Sequence, residues 1–319
     1  MAWVILLTVI NGRSCNDNLK RHNREYKRNN NKSYSESFFL AYIATTELIK
    51  AKVPILRFRE KDRFKSKQSI SKSSPSSSNV EFDLNINNTV GIRNTFLLKS
   101  YANADVRVRP LILVIKKWAR HHQINDASKG TLSSYTLVLM VLHYLQILNE
   151  PVLPSLQRDH PDCFDPLLEI DSVPERSTHV PPYISRNESS LGELFLGFLR
   201  YYSTQFRYLL SVVVLTFLCP ASSSLVLCFW LRGGSSWNQH VMSVREATAF
   251  LKDKSWANKL IGVEEPFDGK NVARAVYEKA KFNAIKAQFA ESYQNLLAKM
   301  DLNSILPVKT IMEHESQKR

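Results

Sequence analysis

Apolar residues alternate in short runs up to about residue 86, and from Thr95 onward they recur at helical spacing. That single change of period confines the chain to a small β portion followed by a mainly helical body, an α+β arrangement. The clearest strand is Val80 to Ile86, where Val80, Phe82, Leu84 and Ile86 share one face and Glu81, Asp83 and Asn85 the other. Ala51 to Phe58 also alternates, with Val53, Ile55 and Phe58 as its apolar positions. Just before it, Phe39 to Ile49 carries apolar residues at helical spacing. Later helices are predicted over Pro110 to Arg120, Thr131 to Leu148, Leu191 to Tyr202 and Glu278 to Lys299. Pro110 suits a first helical turn, and Leu111, Val114, Ile115 and Trp118 form one stripe. No internal repeat stands out.

Three segments interrupt this pattern. Residues 1–37 are polar and basic after a nine-residue apolar start, Ala2 to Ile10, which no basic residue precedes as a signal peptide would require. Lys61 to Asn79 holds eight Ser and five Lys or Arg, too little apolar surface for a core. Tyr208 to Leu231 is a 24-residue apolar run, just long enough for a bilayer, but Pro220 and Ser222 to Ser224 break it at mid-depth. A buried hairpin and a membrane span both fit that run taken alone. The 43 Lys and Arg against 29 Asp and Glu leave +14, which favours polyanions such as nucleic acid. Cys15, Cys163, Cys219 and Cys228 form no CxxC pair and no zinc-like spacing with His, which suits a reducing compartment.

Several residues have the chemistry for a phosphoryl-transfer site, each beside a plainer reading. Glu81 and Asp83 project from one strand face, either as a pair of metal ligands or as an exposed polar edge. Asn88, Gly91, Arg93, Asn94 and Thr95 form a polar turn between strand and helix, where a sugar or phosphate can sit. Lys116 and Arg120, four apart, share a helix face that either grips a triphosphate or is simply solvated. Trp118 reads as core, and His121 and His122 as surface or capping residues. Gly130 to Tyr135 opens an apolar helix, as a capping sequence or as a phosphate site with a tyrosine able to stack on a base.

Taken together, Val80 to Asn88, Gly91-Ile92-Arg93-Asn94-Thr95, Arg109-Pro110, Ile115-Lys116-Lys117-Trp118 and Gly130 to Tyr135 resemble the cytoplasmic poly(A) and poly(U) polymerases of the DNA polymerase β superfamily. Asn187 to Leu194 and Val263 to Gly269, with Asn271 and Arg274, are similar to that family's poly(A)-polymerase-associated segment. The resemblance runs from Phe39 to Val308, leaving aside two insertions, and points to the germline-type poly(A) subgroup. It implies a partial nucleotidyltransferase palm over 38–94, with 61–79 inserted. A helical central domain would span 95–308, with its associated segment at about 189–274 and an apolar insertion at 208–236, before a tail at 309–319. Both insertions read as translated intron or alternative exon, which weakens the membrane reading.

The resemblance also implies roles. Asp83 would be the third carboxylate of a two-metal Mg²⁺ or Mn²⁺ site and help deprotonate the RNA 3′-hydroxyl, leaving Glu81 a bystander. Asn88, Asn94 and Thr95 would meet the ribose and base of ATP, Lys116 and Arg120 its β- and γ-phosphates, Ser134 would support those phosphates, and Tyr135 would stack on the base. Uridine-preferring relatives place a histidine before the asparagine matching Asn271, and here Lys270 stands there, which favours adenosine. The family's other two carboxylates lie in an upstream DxD strand, whereas only Asp17 and Asp62 precede Asp83. The expectation is therefore an RNA 3′-end adenylyltransferase by lineage, cytoplasmic and inactive as it stands. A binding or regulatory fragment and a membrane-tethered variant are the alternatives. With no RNA-binding module in view, RNA targets would be chosen by an RNA-binding adaptor protein.

Overall fold

The computed structural model describes residues 43–49, 55–60, 81–85, 88–174, 180–204, 236–308, 310 and 313. The basic N-terminal residues, the Ser-rich segment 61–79 and the apolar run 208–231 lie outside the described residues. The chain divides into two compact units, residues 1–95 with 309–319, and residues 96–308.

The first unit contains an antiparallel sheet of three strands in the order β1 (Ile43–Ile49), β2 (Ile55–Glu60), β3 (Glu81–Leu84). Leu56 faces Leu84 and Arg57 faces Asp83 across the β2–β3 pair. The helical spacing read over Phe39 to Ile49 is overturned for its described part, because Ile43–Ile49 is a strand. Ile43, Thr45, Thr46 and Ile49 are β-branched, and the backbone pairs with β2 from Ile43 to Ile49; these outweigh the spacing. A second correction concerns the polar turn. Helix α1 runs Thr89–Ala104, so Gly91 to Thr95 are already helical. Polar first turns are easily taken for loops, and only from Phe96 does an apolar stripe appear.

The second unit packs helices α2 (Val108–His121), α3 (Ser134–Gln146), α4 (Leu191–Ser203) and α5 (Lys279–Lys299), together with the end of α1, around one core. Trp118 is wholly buried, its ring edge-on to Phe289 at 5.0 Å and its Nε1 donating to Ser292 Oγ at 2.9 Å. That contact ties α2 to α5. Tyr202 donates to the Met140 carbonyl at 2.8 Å and accepts Trp237 Nε1 on its own carbonyl at 3.2 Å, joining α4 to α3 and to the segment that follows. Ser190 and Glu193 form a reciprocal cap that starts α4, and Arg107 fixes the approach to it by donating to the carbonyls of Asn187 and Ser189 at 2.8 Å.

A three-stranded sheet stands among the helices: β4 (His240–Ser243) pairs antiparallel with β5 (Thr248–Leu251) and parallel with β6 (Gly262–Val263). The sequence reads this half as mainly helical, and this small sheet is an element that reading did not place. Strands of two to four residues, buried throughout in β4 and β6, carry too few positions to show a period.

Two consequences for stability follow from the core. Gly197 lies against the buried ring of Tyr144, and a Cβ added there runs into the Tyr144 hydroxyl. Gly197→Ala is expected to lower the urea midpoint, at a cost of about 1–3 kcal/mol, despite alanine's better helix propensity. His143 is completely buried, with the Tyr201 hydroxyl 3.4 Å from its Nε2. Burial pushes its pKa from 6.5 down to about 4, only partly opposed by the Ser243 backbone. The unfolded chain therefore takes up this proton first. The stability from neutral His143 is complete above about pH 6.5 and is lost as the pH falls toward 4, by about 3 kcal/mol in total. Melting temperatures should fall between pH 7 and pH 5, and less steeply in His143→Phe.

Candidate nucleotide site

In the first unit the β2–β3 register places Arg57 directly opposite Asp83. Arg57 Nε donates to Asp83 Oδ1 at 2.9 Å and Nη2 to Oδ2 at 3.1 Å, a two-pronged pair with the carboxylate mostly covered. Both oxygens that would bind a metal are thus taken by a guanidinium. Among the described residues no three Asp, Glu, His or Cys side chains gather as a metal cage. The described residues do not by themselves make up a two-metal centre.

The neighbouring residues have local duties. Asn88 stands before the first residue of α1, and its Oδ1 accepts from Gly91 N at 3.2 Å in the manner of an N-cap. Thr95 Oγ1 donates back to the Gly91 carbonyl at 2.7 Å. Asn94 differs: its Oδ1 is buried and has no hydrogen-bond partner among the described residues, so it keeps an acceptor to offer.

In the second unit, Lys116 is half-buried and Arg120 exposed, one turn apart on α2. Burial, then the Arg120 charge, holds the Lys116 ammonium below the usual lysine range. Two cations held side by side in this way favour an anion that can touch both. Helix α3, which packs on α2, begins with Ser133 as its N-cap, Oγ accepting from Thr136 N at 3.0 Å. The capping interpretation of Gly130 to Tyr135 therefore holds for Ser133, with Gly130 in the left-handed conformation at φ 75°. Ser134 has a different partner, donating to Asn125 Oδ1 at 3.1 Å, while Asn125 Nδ2 donates to the Leu132 carbonyl at 3.0 Å.

Tyr135, in the first turn of α3, donates its hydroxyl to Glu265 Oε1 at 3.1 Å. Burial first, then the Glu265 carboxylate, raises its phenol far above the ordinary range, so it remains a neutral hydroxyl at any working pH. Glu265 opens a tight turn running to Lys270, at whose base Glu264 bridges to Asn271. The Asn271 amide is turned to the backbone, its Oδ1 accepting from Val263 N and Ala273 N and its Nδ2 donating to the Ile261 carbonyl. Sequence reasoning did not single out Arg57, Asn125 or Glu265. Nothing in the local sequence marks a cross-strand partner 26 positions away, or a carboxylate 130 positions from the tyrosine it holds. Of the predicted site residues, Asp83, Asn88, Asn94 and Thr95 belong to the first unit and Lys116, Arg120, Ser134 and Tyr135 to the second.

Comparison with known proteins bears on the family and the fold. Residues 9–103 match the family model described as poly(A) RNA polymerase, mitochondrial-like, central palm domain. Poly(A) RNA polymerase GLD2 of Rattus norvegicus is 53% identical over 270 residues, 84% of this chain and 47% of that protein. The GLD2 of Danio rerio is 54% identical over 84% of this chain and 46% of its own length. The chain thus spans about half the length of these relatives. Among solved structures, a GLD-2/RNP-8 complex superposes with a TM-score of 0.67 at 27% identity, covering 95% of this chain and 80% of that one. The Cid1 poly(U) polymerase superposes with a TM-score of 0.56 at 27% identity, over 82% and 70%. The two small sheets and the helical body are those of a polymerase β-like nucleotidyltransferase, and the chain belongs to the poly(A) RNA polymerase family.

Proposed function

We propose that this chain is a nucleotide-binding member of an RNA 3′-end adenylyltransferase lineage that does not itself extend RNA. In an intact member of such a lineage, AMP from ATP would be added to the 3′ end of an RNA. Lys116 and Arg120 would hold the β- and γ-phosphates, Ser134 would steady that contact through Asn125, and Tyr135 would stack on the adenine. Asn88, Asn94 and Thr95 would meet the sugar and base, with Asn94 contributing its unused acceptor. Each assignment rests on the family likeness together with the local geometry of these side chains. The family's divalent metal, Mg²⁺ or Mn²⁺, belongs to this reading only for relatives that carry the full carboxylate set.

The observation that carries the non-catalytic part is the occupied Asp83 carboxylate. Two-metal phosphoryl transfer needs several carboxylates to bridge the ions and neutralise developing charge. Among the described residues no such cluster gathers, and the Asp83 carboxylate is already paired with Arg57. The same observation favours the second reading, a regulatory fragment that binds ATP or a partner without turnover. An RNA-binding adaptor would select its RNAs; the similar GLD-2 structure was itself solved as a complex, with RNP-8. Its work would be cytoplasmic, in keeping with cysteines that form no paired motif. No helix among the described residues is long and apolar enough to cross a membrane.

Incubated with oligo(A), ATP and either Mg²⁺ or Mn²⁺, the purified chain should leave the oligonucleotide at its original length on a denaturing gel. A growing ladder would overturn the inactivity. In a longer version that carries two upstream metal-binding aspartates, Asp83→Ala should abolish tailing, and surviving tailing would refute its role. ATP binding by the present chain should weaken about 10-fold or more in Lys116→Ala, because a charged phosphate contact is lost. Unchanged affinity would remove Lys116 from the site.

A further inference from the structure

The turn from Glu265 to Lys270 is built so that one carboxylate oxygen is spent on the turn itself and the other is presented outward. Glu265 N donates to the Lys270 carbonyl at 2.8 Å, and Gly269 N donates to the Glu265 carbonyl at 3.0 Å. Gly269 closes the turn at φ 68°, a conformation that suits glycine. Glu265 Oε2 accepts from Phe267 N at 2.8 Å and Asp268 N at 2.6 Å. The side chain is 95% buried, so its charge depends on these donors rather than on water. Its second oxygen, Oε1, meets the Tyr135 hydroxyl. The adjacent Glu264 is used quite differently, by Ser243 and Arg245 at 2.6 Å each. Two neighbouring buried carboxylates thus have separate tasks, and only one of them reaches a residue of the candidate site.

A tyrosine ring has a broad second torsion, so its first torsion alone does not fix the plane of the ring. Anchoring the hydroxyl at the far end does. A stacking surface contributes most when its plane is set before the base arrives, because no side-chain ordering is then left to oppose binding. We propose that Glu265 is a positioning residue for the base of the bound nucleotide, acting through Tyr135, whose ring it holds in the stacking orientation. This inference rests on the reading of Tyr135 as the stacking ring. Glu265 touches no part of the nucleotide in this scheme; it acts only by removing the freedom of the ring that does.

The test is equilibrium binding of ATP, and separately of inorganic tripolyphosphate, to the 319-residue chain. Tyr135→Ala removes the ring and should weaken ATP about 10-fold or more. Tyr135→Phe keeps the ring but releases it, and Glu265→Ala releases it from the other side. Each should weaken ATP about 3- to 10-fold, the cost of ordering one side chain on binding. The double variant should be no weaker than the worse single one, since both cut the same link. Glu265→Gln can still bond the hydroxyl and should stay near the parent value. Tripolyphosphate, which has no base, should bind all of them equally. Parent-like ATP binding by Tyr135→Phe, with Tyr135→Ala weakened, overturns the positioning role and leaves the stacking reading standing. Parent-like binding by Tyr135→Ala, or a parent chain that binds no ATP, removes the stacking reading and the inference with it. Additive losses in the double variant, or a parallel loss of tripolyphosphate in Glu265→Ala, would assign Glu265 to the fold instead. Should Glu265→Ala fail to fold, Tyr135→Phe and Glu265→Gln decide the question.

Discussion

The second unit is organised around the burial of Trp118. Its indole sits against Phe289 and donates to Ser292, so the position and rotation of α2 relative to α5 are fixed by one side chain. At 3.6 residues per turn, Lys116 and Arg120 each lie about 160° around α2 from Trp118 and about 40° from one another. Placing the indole in the core therefore turns the two cations away from it and toward a common direction. The chemistry of Lys116 and Arg120 is in this sense set from the opposite side of the helix. Helix α3 completes the arrangement by packing on α2 and beginning with Ser133 as a cap, which leaves Ser134 and Tyr135 in its first turn.

The parts of this fold visible in the sequence are those with many equivalent positions. Leu191–Ser203 and Lys279–Lys299 were found within a residue or so, because long amphipathic stretches repeat their signal and Ser190 with Glu193 marks a start. Trp118 was placed in the core by its stripe. What failed had few positions or a conflicting partner. Ile43–Ile49 carries spacing compatible with a helix, but β2 pairs with it from Ile43 to Ile49, with one irregularity between Ile43 and Thr45, and strand pairing is a property of two segments at once. The β4 to β6 sheet was invisible for the opposite reason: its strands are too short to have a period.

The candidate site shows the same division. Residue types could be read, and so could their membership of a family pattern. The engagements of those residues could not. Asn88 caps a helix, Thr95 bonds one turn back, and Ser134 is committed to Asn125; each is already at work before any ligand is considered. Asn94 Oδ1, by contrast, is buried with no hydrogen-bond partner among the described residues. Partners 26 and 130 positions away, Arg57 for Asp83 and Glu265 for Tyr135, exist only once the chain has folded.

The guanidinium on Asp83 has a consequence for how the sheet can vary. Arg57 on β2 supplies both donors that meet a mostly covered carboxylate on β3, so losing it alone would leave that charge poorly compensated. The two positions, 26 residues apart in the chain, are tied as one unit, and drift at either is held in check by the other.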